Sequence, residues 1–142
     1  MTEPHFATQP RAARTLPVVL DLGYLRARDL PEVGGKAANL GELIALGMPV
    51  PPGFVISTAA YDTVVATNAL EPLLRQATAT GDGAGVRQAF AAADIPVQVT
   101  TAILAAYHAM GGGSVAVRSS ATAEDLPGAA GRHAEARIVH RR

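Results

Sequence analysis

A chain of 142 residues, 49% hydrophobic and 4% aromatic, with 12 basic and 12 acidic side chains, has room for one modest domain and is too apolar to be intrinsically disordered. Its lack of cysteine excludes a disulfide scaffold, a cysteine-ligated zinc or iron–sulfur site and a thiol nucleophile. Balanced charge, basic runs no longer than a pair and few aromatic rings argue against a nucleic-acid partner.

No stretch approaches the roughly 20 uninterrupted apolar residues of a membrane span, so no membrane partner is expected. Residues 1–15 carry Arg11 and Arg14 but no apolar core, so they read as a flexible polar leader and not a secretory signal. The expected address is the cytoplasm. The apolar run over residues 16–20, closed by Asp21 and Gly23, reads as a strand entering a turn. A loop through residues 31–35 precedes KAANLGELIALG, where Ala37, Leu40, Leu43 and Ile44 fall at helical spacing and Gly47 is the stop. Gly41 inside that helix costs about 1 kcal/mol relative to alanine, which marks it as a close packing contact.

The next stretch, MPVPPGF (48–54), holds three prolines without backbone donors and should be extended, at a sheet edge at most. Phe54, Val55 and Ile56 suit a short buried strand. Ser57 or Thr58 can cap a following helix that bears Tyr61, Val64 and Val65 on one face. Leu70, Leu73, Leu74 and Ala77 continue the helical pattern until TGDGAG breaks it at 80–85. Val86, Ala89, Phe90 and Ala93 mark another helix. Beyond Pro96, Val99, Ala102, Ile103, Ala106 and Met110 mark a further one, stopped by the glycines at 111–113. SVAVR (114–118) is a strand by alternation. The expected fold class is α/β in the α+β sense, with helices covering a small mixed sheet. Residues 130–142, with four Arg and two His, offer little to bury and read as a mobile Arg-rich tail.

Two segments carry chemistry. In LPEVGGKAANLGEL (30–43), Gly34 and Gly35 let the backbone approach a ligand, and Lys36 stands where a helix begins. A lysine beside helix N-terminal amides suits a phosphate clamp, although the pattern also fits a glycine turn followed by a solvated lysine. It is not a Walker A loop, because Leu30 stands where the first glycine belongs and Ala37 replaces the hydroxyl residue. In SVAVRSSATAEDLPG (114–128) a strand delivers Arg118 to its end, followed by Ser119, Ser120 and Thr122. Arginine offers a fork for phosphate oxygens and the hydroxyls add donors. Glu124 and Asp125 suit either magnesium or pairing with Arg118. The plainer reading is a Ser/Thr-rich capped turn with a surface ion pair worth about 0–1 kcal/mol.

LPEVGGKAANLGEL (30–43), GMPVPPGFVISTAAY (47–61) and VAVRSSATAEDLPGA (115–129), in this order, resemble the N-terminal nucleotide-binding domain of the phosphoenolpyruvate synthase and pyruvate phosphate dikinase group. That group includes the rifampicin phosphotransferases, and the form VRSSATAED looks closer to the synthase and rifampicin enzymes than to the phosphate-dependent dikinase. The resemblance implies a partial ATP-grasp-like domain over residues 16–129, in a fold that holds nucleotide between two α+β halves. It implies that Lys36 and Arg118 contact ATP phosphates, with Gly34, Gly35, Ser119, Ser120 and Thr122 beside them. Mg2+ is expected only in a complete family member, and no catalytic or metal-ligating residue is assigned here.

This sequence departs from the family after Pro127, where Ala-Ser-Phe-Ala-Gly would normally follow. No segment resembles the second ATP-grasp half or the phosphohistidine domain, and none of His5, His108, His133 and His140 lies in a phosphohistidine-like segment. The expectation is an ATP-binding segment of an ATP-dependent dikinase or phosphotransferase, incomplete and inactive alone, whose missing domains a separate chain would supply. The alternative is a non-enzymatic nucleotide-sensing or docking module. In either case the face around Lys36 and Arg118 should be open, with nearby apolar side chains exposed.

Overall fold

The computed structural model describes residues 16–121 and 135–142. Strand β1 (Val19–Asp21) runs into a 3-10 turn at Leu22–Tyr24, where the Asp21 carboxylate accepts from Gly23 N at 2.8 Å. The strand is shorter than its apolar run because Pro17 has no amide to give a ladder. After a second 3-10 turn at Ala27–Asp29, the expected loop is instead a short helix, α1 (Leu30–Val33). Pro31 is at home there, since the first helical turn has no partner for its missing donor.

Helix α2 (Gly35–Ala45) turns Ala37, Ala38 and Gly41 inward. Gly41 is the close contact its position implied: a side chain there would run into the backbone carbonyl of Leu25. The prolines keep residues 48–52 out of the sheet, and β2 (Gly53–Ile56) follows. Ser57 stands at the N-cap of α3 (Thr58–Thr67) but does not cap it with its side chain. Its buried hydroxyl donates to Pro17 O at 2.6 Å, tying the helix start to the approach of β1.

Helices α4 (Glu71–Thr80), α5 (Ala84–Ala92) and α6 (Val97–Ala109) lie where periodicity places them. Tyr61 stacks on Phe90 at 5.4 Å between ring centroids, joining α3 to α5. Asn68 donates to Asp94 O and accepts from Asp94 N, both at 2.9 Å, which fastens the end of α3 to the segment after α5. No single helix among the described residues is long and apolar enough to cross a membrane.

The last two strands are β3 (Val115–Ala121) and β4 (Glu135–Arg141). The sheet order is β1-β2-β4-β3, antiparallel in every neighbouring pair, so the α+β class holds but the sheet is antiparallel and not mixed as expected. The expectation of a tail over residues 130–142 fails from residue 135 onward, because β4 lies inside the sheet with a partner on each side. The expected leader at 1–15 and residues 130–134 lie outside the described residues.

Register assigns the two faces. Val55 pairs with Ile138 and Ile138 with Arg118, so these share one face, while Phe54, Val139 and Val117 share the other. On the first face Val55, Ala136 and Ile138 pack with Leu22, Leu25, Val33, Ala37 and Ala38 into the core, with Leu20, Leu40, Ile44 and Val50 against it. Phe54 and Val139 are buried too, and α3 and α6 pack against β4 and β1.

Candidate functional site

The site starts at the first turn of α2. Gly34 has φ +79°, and any side chain there would strike the carbonyl and hydroxyl of Ser120, so only glycine lets β3 pass this close. Having no side chain, Gly34 cannot cap the helix itself. Ser120 does so across the fold: its fully buried hydroxyl accepts from Ala37 N at 3.2 Å. The contact joins residues 83 positions apart and locks the helix start to the strand.

Alternation along β3 then sorts the sequence-predicted residues. Arg118 and Ser120 point to the α2 side, and Ser119, paired with Arg137, points to the other. Lys36 and Arg118 line one groove of about 870 Å³. Leu40, Val50, Pro51, Ala116 and Ile138 give the groove an apolar wall. Lys36 and Arg118 are themselves exposed, as expected of an open face. Leu46 and Met48, just before the proline stretch, are also exposed.

Of the residues singled out from sequence, the structure therefore brings Lys36 and Arg118 together, with Gly34 and Gly35 at the turn that presents the lysine. Ser120 is a support: sealed beneath the helix, it holds the clamp instead of lining the groove. Ser119 faces away, and Thr122, like Glu124 and Asp125, lies outside the described residues. Sequence reasoning missed His140, Arg141 and Arg142, which line the same groove from β4 and just beyond it. The available signal was the alternation Ala136, Ile138, His140 against Arg137, Val139, Arg141, a period of two that a high charge content obscured.

None of the described residues lining the groove is acidic, and the N-terminal end of α2 adds the positive end of a helix dipole. Such a surface favours an anion that can accept several hydrogen bonds, with an apolar body resting on the wall beside it. Among the described residues no group of three or more His, Asp or Glu side chains is placed to hold a metal ion.

Residues 30–132 match the family model described as pyruvate phosphate dikinase, AMP/ATP-binding domain. A probable phosphoenolpyruvate synthase of Methanothermobacter thermautotrophicus is 36% identical over 115 residues, covering 70% of this chain and 17% of that protein. A phosphoenolpyruvate synthase of Neisseria meningitidis serogroup B is 41% identical over 125 residues, 74% of this chain and 16% of that protein. A rifampicin phosphotransferase of a Streptomyces species is 40% identical over 122 residues, 78% of this chain and 14% of that protein. The chain thus spans less than a fifth of the length of these relatives.

Proposed function

This chain belongs to the family of the pyruvate phosphate dikinase AMP/ATP-binding domain, and from that premise we propose that its groove between α2 and the β3–β4 face binds the phosphates of ATP. The observation that carries the proposal is the meeting of Lys36 and Arg118, distant in sequence, in one groove whose described lining holds no acidic residue. Lys36 acts as a point charge at a helix start, where backbone amides already favour anions. Arg118 supplies a planar fork that matches two phosphate oxygens. The apolar wall takes the less polar part of the nucleotide.

The activity to which this binding contributes is ATP-dependent phosphoryl transfer, a reading supported by the AMP/ATP-binding family and by the phosphotransferase among the relatives, with the cytoplasm as its setting. Phosphoryl transfer depends on positioning and on neutralising charge at the transferred group. The described groove offers positioning and cationic groups, Lys36 and Arg118 among them, so we assign this segment the binding step. Mg2+ would neutralise phosphate charge when bound, and no residue described here is assigned to hold it.

Calorimetric titration of the 142-residue chain with MgATP tests the proposal. Lys36→Ala and Arg118→Ala should each weaken binding at least about tenfold, the size of one lost charge-assisted contact. Affinities unchanged in both variants would dispose of the site.

A further inference from the structure

Resting on the phosphate assignment above, we propose that His140 and Arg142 form a second row of hydrogen-bond donors in the groove, which makes it a site for an extended phosphate chain, a triphosphate in preference to a monophosphate. Both residues lie beyond the span that matches the family, which ends at residue 132. Both nevertheless line the groove that Lys36 and Arg118 line.

Strand geometry sets the spacing. Arg118 pairs with Ile138, and His140 is the next residue of β4 on the same face. Diagonal neighbours of this kind sit about 7–8 Å apart. Arg142 follows two residues later, about 7 Å further along. Its amide donates to Ser114 O at 3.0 Å, so the pairing register carries past the strand end and keeps it on the same face as His140. Arg118, His140 and Arg142 therefore form a row along the β3–β4 pair, with Lys36 across from it on α2. Neighbouring Arg141 also lines the groove, with its guanidinium beside Gly111.

His140 is held in place. Its Nδ1 is sealed against Gly53 of β2, with no hydrogen-bond partner among the described residues, so the ring packs on the sheet. A row of donors longer than one phosphate rewards a ligand that carries several phosphates in line. A monophosphate can satisfy only one end of it.

The test is calorimetry on the full 142-residue chain with MgATP, AMP and inorganic tripolyphosphate, circular dichroism serving as the folding control. Arg142→Ala, at an exposed position outside the core, should weaken MgATP and tripolyphosphate about tenfold and AMP by less than about twofold. Arg142→Lys should recover most of the loss. His140→Ala should act in the same direction, with His140→Lys keeping the affinity should the alanine variant lose fold. Tripolyphosphate binding as tightly as MgATP assigns the row to any phosphate chain; MgATP binding more tightly assigns it to the nucleotide, and both outcomes support the proposal. If Lys36→Ala weakens MgATP while changes at His140 and Arg142 leave every ligand untouched, the second row is wrong and the phosphate site stands. If no variant at any of the four positions matters, both fall.

Discussion

Ser120 shows how a single side chain can be necessary to a site it never touches. Its hydroxyl answers Ala37 N, one of the amides that a helix beginning at glycine leaves without a local partner. Replacing it with alanine leaves a buried donor unmet, so Ser120→Ala should lower unfolding free energy by about 1–2 kcal/mol in urea melts. Because the contact also fixes where Lys36 stands, the same variant should weaken MgATP in calorimetry. Loss of stability with untouched nucleotide affinity would show that Lys36 does not depend on this lock. From sequence alone Ser119 and Ser120 were equivalent, two hydroxyls beside an arginine. Only strand alternation, together with the position of α2, makes one a buried cap and sends the other to the far face.

At the scale of elements, the longer helices were legible because they carry apolar residues at a period near 3.6, and α2, α4, α5 and α6 also have a proline or glycine at their ends, whereas the single turn of α1 reads as a loop. Gly41 was legible too, since a glycine inside a strong helical pattern asks for a packing reason. The reason is Leu25, whose backbone leaves no room for a methyl group. Gly41→Ala should therefore destabilise the protein by about 1–3 kcal/mol despite the better helix propensity of alanine, read from the denaturant midpoint. A more stable variant would mean that propensity outweighs the clash and that α2 can draw back from the turn. The strand ends were less legible. Arg118 was expected to close β3, yet the strand runs on through Ala121, because its partner β4 extends far enough to pair with it.

The whole molecule depends on β4. Ile138, almost fully buried, touches the core through β2, β3 and the α1–α2 layer at once. Ile138→Ala should cost about 2–5 kcal/mol, a large part of the 5–15 kcal/mol typical of a domain. A thermal melt indistinguishable from the parent would contradict a structural role for this segment. Judged by its own composition the segment reads as a charged tail, for two adjacent apolar residues cannot pay for ordering an isolated peptide. In the sheet those two residues face opposite layers, and each completes a core that the rest of the chain has already built.

Sequence by itself therefore determined the class of fold, the longer helices, the two motifs and the family, since those depend on local spacing and on residue types in order. The tertiary structure decided which motif residues meet, which serine supports and which faces away, and that β4 brings His140 and Arg142 to the groove. These are consequences of strand register and of contacts between distant positions, and a pairing partner far along the chain leaves no trace in the local pattern of either segment.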